Sequence, residues 1–170
     1  MKWIGALLLV IATTWIGFEI ASQLNNRPKQ IRQLKSALQT MEAEIVYSHA
    51  PLMDAFWHIA NQSPEPIANF FRTLHQALKK GTSELAILWS KCVDHLISHS
   101  ALGYEEKEVL IQFGKTLGQH DITQQKKHIQ LALTHLDRIL EDALDDQHRY
   151  SKMVKSLGFL AGLFIVLLLI

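Results

Sequence analysis

Three sets of side chains in this sequence have the types that chemistry needs. His95 and His99 stand one helical turn apart, a spacing that can present two imidazoles to one metal ion. Phe113-Gly114-Lys115-Thr116 has the ending of a phosphate-binding loop. Cys92 is the single thiol. Each set lacks what would complete it. The stretch from His95 reads HLISH, without the glutamate that follows the first histidine in a zinc-protease helix, and no third ligand is implied. The phosphate loop requires glycine five residues before Gly114, where the chain has Val109, and a strand where the pattern is helical. His128 and His135, two turns apart, read as solvated histidines, and Cys92 falls on an apolar helix face as a small buried group. The reading is of a non-enzymatic chain with no catalytic residues, no metal and no cofactor, against the alternative of a metal-dependent enzyme built on His95 and His99.

The charged residues are more informative. Arg27, Lys29, Arg32 and Lys35 follow one charge-free apolar run, and Arg149, Lys152 and Lys155 border another. Such groups attract anionic headgroups by about 1 kcal/mol each when close to the membrane surface, and they also orient membrane spans. Membrane lipids are therefore expected partners. Asp137, Glu141, Asp142, Asp145 and Asp146 form an acidic run that reads as a solvated face or as a docking patch for a basic partner. Glu105, Glu106 and Glu108 open a helix, where carboxylates oppose the positive end of its dipole. The net charge of +1 in 170 residues gives no global basic field, so nucleic acid is not an expected partner.

The elements that must position these residues follow from the apolar pattern. Trp3 to Phe18 carries no charge, and Trp3 to Ala21 meets the roughly 20 residues a membrane helix needs if Glu19 reaches the interface. Glu19 is the one ionisable residue near membrane depth, with a helix or partner contact as the other role open to it. A cleaved leader is disfavoured because Glu19 would stand where a cut after Ala21 wants a small residue. Ser156 to Ile170 is again charge-free, about 22 Å as a helix, and Met153 and Val154 extend it if Lys155 snorkels. Gly158 and Gly162 are spaced for close helix approach. The sequence thus predicts a transmembrane helix over 1–21, a cytoplasmic helical bundle over 22–153 and a second transmembrane helix over 154–170, with both termini on the far side.

Between the ends, apolar residues recur every three and four positions, the period of a helix. Ile31, Leu34, Leu38, Met41 and Ile45 form a seam beyond Asn25-Asn26-Arg27-Pro28. Pro51 opens a second helix. Ser63 is expected to cap a third beginning at Pro64 and ending at Gly81. Thr82 or Ser83 would cap a fourth, with Leu85, either Leu88 or Trp89, Cys92, Val93 and Leu96 on its apolar face. A fifth carries Leu110 and Phe113 and ends at Gly118. Asp121-Ile-Thr-Gln124 is a capping-box start for a sixth helix that runs unbroken towards the second apolar segment. The expected fold is all-α, an antiparallel bundle of about six helices flanked by two spans, its first and last helices side by side. The polar loops farthest from the membrane, with Asn61-Gln62-Ser63, Lys79-Lys80-Gly81-Thr82 and Gly118-Gln119-His120 as candidates, would be its docking end.

Three segments together carry a family resemblance: GALLLVIATTWIGFEIA, RPKQIRQLKSALQTMEAEIVYSHAPLMDAF, and LIQFGKTLGQHDITQQKKHIQLAL with its terminal span. The chain resembles the stage III sporulation protein AB family of endospore-forming bacteria. That resemblance implies a membrane protein made in the mother cell and placed in the membrane around the forespore. It implies membership of the channel, or feeding tube, that links the two cells. It also implies a fold similar to the cytoplasmic domains of type II secretion and type IV pilus platform proteins. Other channel proteins of the sporulation complex and a sporulation ATPase are the partners it implies. A membrane-anchored cytoplasmic adaptor unrelated to sporulation is the other non-enzymatic reading.

Overall fold

The computed structural model describes residues 2–81, 84–118 and 121–169, with most side chains of 2–21 and 151–169 outside that description. The chain is all-helical. Six helices follow in order: α1 Lys2–Val46, α2 Leu52–Gln62, α3 Ile67–Lys80, α4 Leu85–Ser98, α5 Tyr104–Thr116 and α6 Ile122–Leu169. The expected flanking helices are not separate elements, because α1 and α6 each include one apolar chain end. Among the described residues no helix is long and apolar enough to cross a membrane. The two expected spans fall on the segments whose side chains lie almost wholly outside the described residues.

Two compact units make up the chain. One comprises Met1–Pro28 and Asp142–Ile170, the other Lys29–Glu141. Pro28 lies inside α1 and has no N–H to give the carbonyl one turn back, so the helical ladder loses a bond there.

Within Lys29–Glu141 the core is the one the periodicity predicts. Ile31, Leu34, Leu38 and Met41 are fully buried, as are Ile129 and Leu136 on α6. The α1 and α6 segments run antiparallel. Lys35 pairs with Asp137, and Glu42 accepts from the Gln130 amide at 3.1 Å. A seven-residue step up α1 is thus matched by a seven-residue step down α6, the repeat of a coiled-coil seam.

The four shorter helices close around aromatic rings. Trp89 of α4 is fully buried, and its ring centroid lies 5.1 Å from Phe70, 5.5 Å from Phe113 and 6.1 Å from Phe56. Phe71 packs edge-on against Phe70 at 4.9 Å. The Trp89 indole N–H donates to the Leu110 carbonyl of α5 at 2.8 Å, which satisfies the ring's one polar atom inside the core.

Local signals were met with two corrections. Asp121 accepts from the Gln124 N–H at 2.8 Å and so caps α6. Glu106 reaches back to the Gly103 N–H at 2.8 Å at the start of α5, so this carboxylate has a capping bond beyond the dipole. Gly81 and Gly118 adopt the left-handed region at φ 65° and 77°, where side chains are strained. The first correction concerns α3, which begins at Ile67 and not at Pro64. Pro66 biases Glu65 away from helical conformation, so a helix cannot be carried from Pro64 through it. Glu65 does the capping instead, its carboxylate accepting from the Asn69 N–H at 3.0 Å and from Arg72 at 3.2 Å. The second correction concerns α4, whose N-cap position is held by Glu84 and not by the expected Thr82 or Ser83, which lie outside the described residues.

Candidate interaction surfaces

The charged runs occupy different settings. Asp137, Glu141, Asp142, Asp145 and Asp146 are all exposed on α6. Lys29 and Arg32 are exposed on α1, and Arg27 is half-buried with a partner of its own. The Lys35–Asp137 ion pair joins a residue expected at the membrane to one expected in the docking patch. Both are thereby engaged in holding α1 to α6. Within the other unit, the Gln147 amide donates to Asn25 at 3.1 Å, so α1 and α6 are tied there too. The Arg149 guanidinium sits over the Tyr150 ring at 5.6 Å. The side chains of Glu19, Lys152 and Lys155 lie outside the described residues.

The residues with catalytic types have structural tasks. Gly114 lies under the Trp89 indole, and a Cβ there would fall 2.1 Å from the ring. Only glycine permits that approach, which gives Gly114 a packing role. The His95 and His99 rings stack at 4.2 Å, and the Nδ1 of His99 lies 2.9 Å from the His95 carbonyl, within its own helix. Among the described residues no group of three His, Cys, Asp or Glu side chains could hold a metal ion. Cys92 is buried, and burial pushes its thiol pKa up, away from the reactive thiolate. Lys107 bonds Asp94 at 2.8 Å, tying α5 to α4, and that bond raises the lysine pKa.

The up-and-down order sorts the loops of Lys29–Glu141 into two ends. Gly118 is 3.4 Å from both Leu52 and Leu85, measured from where its Cβ would stand, so the connections after α1, α3 and α5 converge. Exposed Tyr47 and Ile122 belong to this end, with Lys126 6.0 Å from the Tyr47 ring centroid. Lys79-Lys80-Gly81 and Gly118 lie here, while Thr82, Gln119 and His120 are outside the described residues. Asn61-Gln62-Ser63 does not belong with them. An eleven-residue α2 carries the chain back along α1, and Gln62 and Ser63 end beside Arg32 and Thr40. The Ala101 N–H donates to Gln30 at 2.7 Å, so the α4–α5 connection is also at the end where α1 enters this unit.

One feature was not legible in the sequence. A cleft of about 280 Å³ lies between α1 and the α2–α3 connection, lined by Arg32, Gln33, Ser36, Thr40, Gln62 and Ser63, with Pro64. These residues are scattered over two segments and share no motif. The one available signal was a polar stripe beside the buried Ile31-Leu34-Leu38 seam.

Fold and surface together define an all-helical, up-and-down bundle whose polar side chains mainly lock helices to one another. Comparison with known proteins places it further. The family model for stage III sporulation protein AB matches residues 2–170, and the chain belongs to that family. It is 47% identical over 169 residues to the stage III sporulation protein AB of Bacillus subtilis (strain 168), covering 99% of both chains. A solved structure of stage III sporulation protein AB matches with a TM-score of 0.68 at 44% identity, over 73% of this chain and 98% of that one. Family membership supports a role in sporulation.

Proposed function

We propose that this chain is a non-enzymatic scaffold of the mother cell–forespore channel, tethered twice to the membrane around the forespore. Its helical bundle stands on the cytoplasmic side and docks other channel proteins, among them a sporulation ATPase. The observation that carries the reading is that both charge-free chain ends fall in one compact unit, Met1–Pro28 with Asp142–Ile170, where Gln147 bonds Asn25. Described side chains within those ends agree with lipid contact. Trp15 is 73% exposed, and Leu160 and Phe164, one turn apart, are 58% and 66% exposed. Large apolar groups turned outward in this density belong against lipid or another protein.

Arg27, Lys29, Arg32, Lys35, Arg149, Lys152 and Lys155 are the basic residues nearest the membrane in this reading, suited to anionic headgroups. The acidic run Glu141, Asp142, Asp145 and Asp146 remains open to a basic partner. The end bearing Tyr47, Lys79, Lys80 and Ile122 is the end for the ATPase, because α1 and α6 leave from the other.

Deleting the gene in a spore former and scoring completed spores tests the assignment. Loss of completed spores is expected, restored by the full chain and not by residues 29–141 alone. Normal spore numbers would contradict it.

A further inference from the structure

His95 and His99 have a geometry that packing of the core does not require. Both are exposed at the end of α4, and their rings stack at 4.2 Å with planes 20° apart. The orientation of His99 is fixed by its own helix. Its Nδ1 lies 2.9 Å from the His95 carbonyl and 2.9 Å from the Ser98 hydroxyl oxygen, and that hydroxyl donates to the same carbonyl at 3.0 Å. A carbonyl only accepts, so the Nδ1 of His99 carries the proton, and in the neutral ring the Nε2 lone pair is free. Histidines that bind metals are held in this way, with one ring N–H on a backbone carbonyl and the other nitrogen left to ligate. The His95 ring makes no hydrogen bond among the described residues, so it is free to turn towards the same ion.

We propose that His95 and His99 are a two-histidine site for one imidazole-seeking divalent ion, zinc or its neighbours nickel and copper. The Nε2 of His99 and a ring nitrogen of His95 would be the protein ligands, with water at the remaining positions. Tetrahedral zinc holds nitrogens at about 2.0–2.1 Å, which puts two of them about 3.4 Å apart. Rings already 4.2 Å apart reach that spacing by closing about 1 Å at their edges. Charge favours the ion as well. The last helical residue of α4 is Ser98, and the final carbonyls of a helix form the negative end of its dipole, where a cation is stabilised. Imidazole nitrogens also select the class of ion, because magnesium and calcium prefer oxygen. Two ligands make a clamp and not a reaction centre. Among the described residues no group of three His, Cys, Asp or Glu side chains forms, and Asp94 next to the pair is held by Lys107 at 2.8 Å. The ion would fasten the last turn of α4, just before the connection whose Ala101 N–H is held by Gln30 of α1. The site stands whether or not the chain ends cross a membrane.

The test is a titration of the full chain in detergent micelles with zinc chloride, beside the single variants H95Q, H99Q and H135Q. The chain has nine histidines, so the variants decide which of them bind. The unaltered chain should take up an ion that H95Q and H99Q each bind about tenfold more weakly or worse, while H135Q, on α6, leaves the affinity unchanged. Zinc should raise the melting temperature of the unaltered chain and of H135Q, and not that of H95Q or H99Q. Nitrogen NMR should show the His99 Nε2 shifting on saturation with its Nδ1 proton retained, and this readout decides alone if a variant loses helicity. Copper should bind more tightly than zinc, and magnesium should give no response. Equal zinc affinity in the unaltered chain and in H95Q or H99Q, an equal response to magnesium, or shifts confined to other histidines would each overturn the proposal.

Discussion

Two interfaces inside Lys29–Glu141 are built on different principles. Where α1 meets α6, aliphatic residues repeat along two long helices, and polar pairs sit at matched intervals. Where α2, α3, α4 and α5 meet, four phenylalanines gather on one tryptophan, and the fit is completed by one missing side chain at Gly114. The first kind of interface spreads its energy over many similar contacts. The second concentrates it in a mutual fit with little freedom to adjust.

This contrast sets the order of expected damage. Gly114→Ala should cost most, about 3 kcal/mol or more, because the new methyl meets a buried indole whose N–H is already bonded. Mid-helix Gly to Ala otherwise stabilises by about 1 kcal/mol, so a thermal melt reads the sign as well as the size. A stabilised variant would mean that Trp89 can move aside. Leu38→Ala removes a fully buried seam residue and should cost about 3 kcal/mol, leaving helicity largely intact below the lowered melting temperature. Equal costs at both positions would erase the distinction between the interfaces. Asp121→Ala, which removes the α6 cap, should cost about 1 kcal/mol and lower the melting temperature by about 3 °C. The smallest effect belongs to the Lys35–Asp137 pair. A double-mutant cycle should give coupling under about 1 kcal/mol, shrinking as salt is raised, since Asp137 is mostly exposed.

The same contrast explains what the sequence could disclose. Ile31, Leu34, Leu38, Met41 and Ile45 announce their helix and its buried face because one local rule, repeated, determines both. The α6 face of Ile129, Ala132, Leu136 and Ala143 follows in the same way. The helical period left Leu88 or Trp89 as the inward residue of α4, and that Gly114 lies beneath Trp89 was not legible, since the two meet only when the α4–α5 connection folds one helix back on the other. The α3 start was misplaced because Ser63-Pro64 obeys a local capping rule that Pro66, two residues on, overrides. The cleft at Arg32 depends on where the α2–α3 connection lands along α1, a tertiary fact with no sequence period. The loops were not sorted by the sequence: Lys79-Lys80 and Gly118 share the α1–α2 end while Asn61-Gln62-Ser63 belongs with the opposite one, a division set by helix order.

The scaffold reading stands or falls on the double tether, and protease mapping in sporulating protoplasts tests it most directly. Membranes are washed with alkaline carbonate and probed with antibodies against 29–141, with protease added either outside intact protoplasts or after lysis. The account predicts a full-length chain that stays in the washed pellet, resists protease from outside and is cut once the cells are opened. Release by carbonate, or cleavage of 29–141 in intact protoplasts, would contradict it.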